Sequence, residues 1–124
     1  MKIFNNALIV DDDRDLCFVL RRVLHDTIEN VYCVGTLREG IKLFKGLKPD
    51  VVFMDNNLPD GQGVDAIREL KMQIPDSLII LITSDNAQVE ATLNGADVFL
   101  KKPFTSSSVR DALQTERPPT LWPM

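Results

Sequence analysis

Five short apolar segments are the feature of this sequence that most constrains its fold. Each is six residues long or shorter, is rich in aliphatic and aromatic side chains, and is bounded by polar or turn-forming residues. Near-continuous apolar runs of this length are typical of strands that are buried on both faces, as in a parallel sheet. The segments are residues 7–10, 31–34, 51–54, 78–83 and 98–100.

Stretches with helical periodicity separate these segments. Apolar residues recur there at spacings of three and four, which predicts amphipathic helices. The three clearest stripes are Leu16, Val19, Leu20, Val23 and Leu24; Leu37, Ile41, Phe44 and Leu47; and Val64, Ile67, Leu70 and Ile74. Thr36 followed by Glu39 predicts a capping box at the start of the second helix, and Pro75 marks the end of the third.

Two further helices are expected nearer the C-terminus. A short fourth helix is predicted over residues 86–94, with Gly95 as its stop. A fifth begins near Thr105 and ends before Pro118 and Pro119, because proline cannot continue a helix. Five β–α units in a row predict a doubly wound α/β fold, a five-stranded parallel sheet with helices on both faces.

The chain length of 124 residues suits one domain with one layered core. We expect this domain to span residues 1–117, followed by a Pro-rich tail or the start of a linker over residues 118–124. Because the sequence ends at Met124, we expect either a stand-alone domain or the front part of a longer protein.

Polar residues cluster where the expected strands end. In open parallel sheets, ligands bind beyond the carboxyl ends of the strands, so these residues define the candidate site. They are Asp11, Asp12 and Asp13 after the first strand, Asp55 at the end of the third, Thr83 and Ser84 at the end of the fourth, and Lys101 and Lys102 at the end of the fifth.

This set of side chains favours metal-assisted phosphate chemistry. A phosphate group cannot approach bare carboxylates, but Mg²⁺ binds a few carboxylates together with water and phosphate oxygens. An aspartate can then act as a nucleophile and form an acyl phosphate. Thr83 can donate a hydrogen bond to a phosphoryl oxygen, and a lysine can neutralise the charge of the phosphoryl group.

Four motifs in fixed order extend this interpretation. LIVDD occupies residues 8–12, DNNLPDGQG residues 55–63, LIILITS residues 78–84 and KPF residues 102–104. In this order they resemble the receiver domain of two-component response regulators, over residues from about 7 to 113. The resemblance implies a flavodoxin-like (βα)5 fold with strand order 2-1-3-4-5.

The resemblance also implies a role for each motif residue. Phosphoryl transfer from a sensor histidine kinase or phosphotransfer protein, with Mg²⁺ or Mn²⁺ bound, would then change the surface offered to an unknown output partner or effector domain. The roles are phosphoacceptor for Asp55; metal ligation for Asp11, Asp12, Asp55 and the main-chain carbonyl of Asn57, with Asp12 favoured over Asp11 as the direct ligand; switch hydroxyl for Thr83; phosphate binding for Lys102; and an aromatic reporter of activation for Phe99.

Asn57 and Asp85 stand where this family tunes phosphate lifetime. Both are polar, which predicts a labile acyl phosphate. The stretch from Thr83 to Lys102 is shorter than the family norm by roughly one helical turn, and the proline pair clips the fifth helix. Both departures fall on the usual output face, so the metal site is expected to be intact while the readout surface is in question.

Three other interpretations stay open. A metal-dependent aspartyl-phosphate hydrolase resembling haloacid dehalogenases would use Asp11 as nucleophile, although Arg14 and Asp15 replace the small residues expected after its aspartates. The residues that would serve it are Asp11, Asp13 as acid/base, Thr83 or Ser84, and Lys102. Residues 61–66, GQGVDA, fit a dinucleotide fingerprint but do not directly follow their strand. The third is a receiver fold that works only as a constitutive interaction module.

The remaining expectations concern charge and single residues. A net charge of −4 without a basic block argues against nucleic-acid binding by this segment. The sequence lacks a membrane-spanning apolar run and a signal peptide, so a cytoplasmic protein is expected. Cys17 and Cys33 are predicted to be two reduced thiols that serve as small core residues. Asp13 is predicted to cap the first helix, and His25 to lie on the surface.

Overall fold

The computed structural model describes residues 4–84 and 94–114. Strands and helices alternate along most of these ranges. The strands are β1 (Phe4–Val10), β2 (Ile28–Val34), β3 (Val51–Asp55), β4 (Asn57–Leu58), β5 (Gly61–Gln62), β6 (Leu78–Thr83) and β7 (Val98–Lys101). The helices are α1 (Arg14–Leu24), α2 (Leu37–Leu47), α3 (Val64–Gln73) and α4 (Ser106–Leu113), which is the fifth helix of the sequence prediction.

The main sheet is parallel and has the order β2-β1-β3-β6-β7. This confirms the predicted order 2-1-3-4-5, because the two-residue strands β4 and β5 form a separate antiparallel pair. Asp55 lies opposite Ile82 in the register, and Thr83 lies opposite Lys101. The carboxyl ends of β1, β3, β6 and β7 therefore meet at one edge of the sheet.

Helices cover both faces of the sheet, as the doubly wound fold requires. One core cluster packs beneath α1 and α4, and a second packs beneath α2 and α3. Every residue of β3 and β6 is buried, which explains their uninterrupted apolar sequence. β2 begins at Ile28, three residues earlier than predicted, because this edge strand exposes the polar residues Glu29 and Asn30.

The apolar stripe predicted for α1 is wrong at one position. Val19 is 50% exposed, whereas Cys17 is only 8% exposed. The buried residues are Cys17, Leu20 and Leu24, spaced by three and four. The face toward the sheet is therefore rotated from the predicted stripe, and a small cysteine fills the position nearest the strand ends.

Side-chain caps start the helices as expected. The Asp13 carboxylate accepts hydrogen bonds from the N–H groups of Asp15 and Leu16, which confirms it as the cap of α1. Thr36 caps α2 through the N–H of Glu39, but the Glu39 carboxylate accepts from the Thr36 hydroxyl instead of completing the backbone half of the box. Because Ser108 forms a full capping box with Thr105, the serine-rich first turn of α4 is stabilised.

The two cysteines form a disulfide, so the prediction of two separate thiols is wrong. Cys17 lies on α1 and Cys33 on β2, with Cα atoms 6.4 Å apart. This separation falls within the range that a disulfide spans. The sequence could not show it, because the two residues meet only when α1 packs against the first two strands.

Several expectations lie outside the described residues: the fourth helix, Asp85 and the Pro118–Pro119 break. Gly95 lies inside them and has a φ of +96°, a conformation that favours glycine. His25 is exposed, as predicted. Within residues 4–84 and 94–114, no helix is long and apolar enough to cross a membrane.

Candidate metal centre

Three aspartates converge at the carboxyl edge of the sheet. Asp11 and Asp12 follow β1 and Asp55 ends β3, and these two strands are hydrogen-bonded neighbours. One carboxylate oxygen from each residue lies within 4.8 Å of the other two. Asp11 and Asp55 are buried, while Asp12 is exposed. The sheet therefore brings together side chains that are more than forty residues apart in the sequence.

Lys102 bridges the two buried carboxylates. Its Nζ lies 3.3 Å from Asp55 Oδ1 and 3.4 Å from Asp11 Oδ2. The backbone N–H of Lys102 donates to the Thr83 carbonyl, which continues the pairing of β6 and β7 by one residue. The next peptide bond, to Pro103, is cis. Lys101 is exposed, as expected for a solvated neighbour.

The pKa values of all three groups in this ion cluster are raised. Burial raises the pKa of Asp11, and the nearby charge of Asp55 raises it further. Burial also raises the pKa of Asp55, although the positive charge of Lys102 opposes the change. Burial disfavours the charged form of Lys102, but Asp11 and Asp55 outweigh this effect and raise its pKa. The cluster thus carries more negative charge than one ammonium compensates.

The donor set fits a hard divalent cation. Asp11 Oδ2 is buried and accepts no hydrogen bond from the described residues, although it lies near the ammonium of Lys102. The other oxygen of Asp11 accepts from the N–H of Asp13, which fixes the carboxylate. Carboxylate oxygens are the ligands that Mg²⁺ prefers. A cation here would offset the repulsion between the three aspartates.

The loop after β3 fixes the orientation of Asp55. The N–H of Asn57 donates to Asp55 Oδ1 at 3.3 Å, and the N–H of Asn56 donates to the carbonyl of Ile82. Asn56 is 2% exposed and its Oδ1 caps α3 through the N–H of Val64. Sequence reasoning missed Asn56, because the residue it caps lies eight positions away.

Two further contacts in this loop were also missed. A side chain at Gly63 would collide with the carbonyl oxygen of Asp55, so only glycine fits there. Asp60, in the turn between β4 and β5, accepts hydrogen bonds from Leu37 and Arg38 at the start of α2. The Pro-Asp-Gly run at residues 59–61 is the turn signal that could have predicted this hairpin.

The predicted switch residues lie on β6 and β7, the two strands that follow β3 in the sheet order. Thr83 ends β6 and is buried, one position beyond the residue paired with Asp55. Phe99 is half-buried on β7 and packs against the core cluster beneath α2 and α3. Asn57 opens β4, and the ligand role of its main-chain carbonyl stays a prediction.

The structure also bears on the rival motifs. The glycines of GQGVDA lie in and just after β5, a two-residue strand outside the parallel sheet. The first N–H group of α3, which a dinucleotide phosphate would need, already donates a hydrogen bond to Asn56. Asp13, the proposed acid/base of a hydrolase, is committed to capping α1. Both observations weaken these rivals.

Comparison with known proteins assigns the family. The family model described as the response regulator receiver domain matches residues 7–114. The chain belongs to this family. The receiver domain is a signalling domain that binds a divalent metal ion at an acidic cluster, and its partners are histidine kinases or phosphotransfer proteins. The hydrolase interpretation is not favoured.

Curated relatives agree with this assignment. The receiver domain is 36% identical over 111 residues to the chemotaxis protein CheY of Thermotoga maritima, covering 86% of this chain and 92% of that protein. It is 34% identical over 101 residues to the KDP operon transcriptional regulatory protein KdpE of Escherichia coli, covering 80% of this chain. The match spans only 45% of KdpE.

Solved structures share the fold. A response regulator protein from Burkholderia pseudomallei, which contains a phosphorylated aspartic acid, a calcium ion and citrate, matches with a TM-score of 0.82 and 30% identity. That match covers 90% of this chain and 67% of the other. The chemotaxis protein CheY4 of Vibrio cholerae matches in fold with a TM-score of 0.80 at 24% identity, covering 89% and 96%.

Proposed function

We propose that Asp55 is the phosphoacceptor of this receiver domain. The observation that carries the proposal is the surroundings of its carboxylate: it is buried at the end of β3, hydrogen-bonded to Lys102, and close to the oxygens of Asp11 and Asp12. Among the described residues, the hydrogen bonds to Asp55 both go to Oδ1. This leaves Oδ2 as the oxygen that attacks phosphorus.

The transfer exchanges one bond to phosphorus for another. The P–N bond of a phosphohistidine on the donor kinase or phosphotransfer protein breaks, and its electron pair returns to the imidazole nitrogen. An oxygen of Asp55 forms the new P–O bond, which gives an acyl phosphate. The receiver catalyses this step on itself by positioning the carboxylate and stabilising charge, and it has no separate substrate.

Each neighbour of Asp55 has a distinct task in this proposal. Asp11, Asp12, Asp55 and the main-chain carbonyl of Asn57 would bind Mg²⁺, or Mn²⁺ in its place. The bound ion supplies positive charge that lets an anionic phosphoryl group approach the carboxylates. Lys102 would neutralise a phosphoryl oxygen, and its contact at 3.3 Å with Asp55 supports this role.

Phosphorylation would bias a two-state equilibrium of the fold. Thr83 donates its hydroxyl to the phosphoryl group, and the Phe99 ring turns further into the core, which changes the surface near β7 and α4. The half-buried position of Phe99 supports this movement, because the ring already contacts the core on one side. The phosphoryl group shifts the populations of the two states only to the extent that it interacts more favourably with one state than with the other.

The remaining parts of the proposal concern lifetime, extent and location. Asn57 and Asp85 would engage an attacking water, so we expect an acyl phosphate of short lifetime. An acyl phosphate that survives for many hours in native buffer with Mg²⁺ would contradict this. We expect the receiver unit to span residues 1–117 with a tail over 118–124, and we expect a cytoplasmic location.

Labelling by a small phosphodonor tests the phosphoacceptor. Incubation with acetyl phosphate and Mg²⁺ should add one phosphoryl group to the protein, detected by intact mass and mapped to Asp55 after reductive cleavage of the acyl phosphate. Asp55→Asn should abolish the label. Asp13→Asn is the matched control: it removes the same charge beside the site, but asparagine still caps α1.

The outcome separates the competing assignments. Label that persists in Asp55→Asn and maps to Asp11 would refute the proposal and restore the hydrolase interpretation. Absence of both labelling and Mg²⁺ binding in the folded wild-type protein would instead favour a constitutive interaction module.

A further inference from the structure

The disulfide partners lie beside the aspartate cluster. Cys17 is in the first turns of α1, and Cys33 is the penultimate residue of β2, opposite Ile9 of β1. The loop that carries Asp11 and Asp12 connects β1 to α1. A covalent link between α1 and β2 therefore ties the helix that follows this loop to the strand paired with β1, which precedes it.

One of the sulfurs contacts the metal-site backbone directly. Cys17 Sγ lies 3.7 Å from the carbonyl oxygen of Asp11. A thiol at this position has a hydrogen to donate to that oxygen, whereas a disulfide sulfur has none. The backbone of Asp11 therefore has different partners in the two oxidation states. On its other side, the N–H of Asp11 donates to Val34, which is next to Cys33.

Solvent can reach the sulfurs through a cleft. Cys17 and Cys33 both line a cleft of about 620 Å³. Cys33 is the more exposed of the two, because Cys17 retains only 8% of its accessible surface. Arg14 and Arg21 line the same cleft and can attract an anionic reagent. Asp11, Asp12 and Glu39 also face it and oppose that attraction.

We propose that Cys17 and Cys33 are a redox-active pair that tunes the metal site of this receiver. The pair is oxidised by a small disulfide such as oxidised glutathione. The disulfide form keeps Asp11 and Asp12 in the arrangement seen here, and the dithiol form binds Mg²⁺ more weakly. The effect on Mg²⁺ rests on the proposed function, while the redox chemistry of the pair does not.

The oxidation proceeds by two thiol–disulfide exchanges. Cys33, the more exposed thiol, attacks one sulfur of the small disulfide, which releases one small thiol and leaves a mixed disulfide on Cys33. Cys17 then attacks the Cys33 sulfur, which releases the second small thiol. Two protein thiols are oxidised, one small disulfide is reduced to two thiols, and the two thiol protons pass to the leaving thiolates.

The coupling follows from the contacts of the Asp11 backbone. In the disulfide form α1 is tied to β2, and Cys17 Sγ has no hydrogen to donate to the Asp11 carbonyl. Reduction removes the tie and gives that sulfur a hydrogen to donate, so the loop that carries Asp11 and Asp12 is held differently in the two states. We expect the Mg²⁺ dissociation constant of the dithiol to exceed that of the disulfide by at least about fivefold, the lower end of ordinary coupling between sites.

The chemistry is tested on the whole chain by thiol counting and intact mass. Fully reduced protein is equilibrated with oxidised glutathione in the absence of metal. We expect the two thiols to disappear with the mass of an intramolecular disulfide. Cys17→Ser should instead trap a stable mixed disulfide on Cys33. Persistent free thiols in wild-type protein, or glutathione attached at both positions, would overturn the proposal.

The coupling is tested by titrating Mg²⁺ into both oxidation states by calorimetry. Cys33→Ser, which cannot form the link, is the control, and its dissociation constant should not change with redox conditions. Equal constants in the two wild-type states would overturn the coupling. If neither state binds Mg²⁺ and Asp55 takes no label, the proposed function fails and the coupling fails with it. Thiol counting would then still decide the redox chemistry.

Discussion

Replacing Asp11 with asparagine is expected to stabilise the protein when no divalent cation is bound. Asp11 is 2% exposed and shares the cluster with Asp12 and Asp55. Asparagine removes the buried charge but keeps an oxygen that can accept the hydrogen bond from Asp13. The substitution thus relieves repulsion without removing the acceptor of this turn.

The magnitude follows from the distances in the cluster. Unit charges within 4.8 Å repel by at least about 3.5 kcal/mol at an effective dielectric constant of about 20, and Asp11 faces two such charges. Its attraction to Lys102 at 3.4 Å is worth about 5 kcal/mol on the same scale. Asp11→Asn loses both effects, so the net gain in unfolding free energy is about 2 kcal/mol.

The dependence on pH has a defined sign. Burial, and then the charge of Asp55, raise the pKa of Asp11 above its ordinary value of 3.8. A raised pKa in the folded protein adds to the free energy of unfolding. This contribution is fully present below pH 3.8 and is lost as the pH rises through the pKa of Asp11 in the folded protein. Asparagine does not ionise, so the advantage of the variant should appear above pH 3.8 and grow through that window.

Urea denaturation in EDTA at pH 7 measures the effect. The midpoint of Asp11→Asn should exceed that of the wild type by about 1 M. Saturating Mg²⁺ should close the gap, because the ion stabilises the wild type more strongly. Asp26→Asn is the control: it removes an exposed charge and should change stability by less than about 0.5 kcal/mol. A variant midpoint at or below the wild-type value in EDTA would refute the reasoning.

Three further substitutions test other contacts of the fold. Gly63→Ala should lower the unfolding free energy by about 1–3 kcal/mol and slow acetyl phosphate labelling, because its methyl group displaces the Asp55 carbonyl; unchanged labelling would contradict this. Lys71→Met should lower the unfolding free energy, measured by thermal denaturation, by about 2 kcal/mol, because the carboxylate of Asp97 loses the ammonium that lies 3.0 Å away. The double variant with Asp97→Asn should recover part of this loss. Hydrogen bonds from two N–H groups of α2 lower the pKa of Asp60. The stability that these bonds give is therefore present above pH 3.8 and is lost as the pH falls through the pKa of the folded protein. The urea midpoint of Asp60→Asn should change less with pH in this acid range than the wild-type midpoint does.

The strands and the strand-end residues could be predicted because they depend on local patterns. A strand buried on both faces must be apolar along its whole length, as β3 and β6 are. Asp13 needed only its position before a helix to be predicted as a cap. The candidate site followed because parallel strands place all their carboxyl ends at one edge of the sheet.

Errors arose where the answer depended on the angle at which a helix packs. The exposed position of Val19 depends on the rotation of α1 against the sheet, which the apolar pattern of the helix left ambiguous by one residue. The hydrogen bonds of Asn56 and Asp60 cross eight residues or more than twenty, so no local rule contains them.

The sequence by itself determined the alternation of strands and helices, the family motifs and the residue types at the strand ends, because each follows from short-range periodicity or position. Only the tertiary structure decided that Lys102 bridges Asp11 and Asp55 and that Cys17 meets Cys33. These contacts join residues sixteen or more positions apart, and only packing of α1 and the strands against one another brings them within bonding distance. The charge balance around Asp55, and its proposed link to the cysteine pair, are therefore properties of the folded chain.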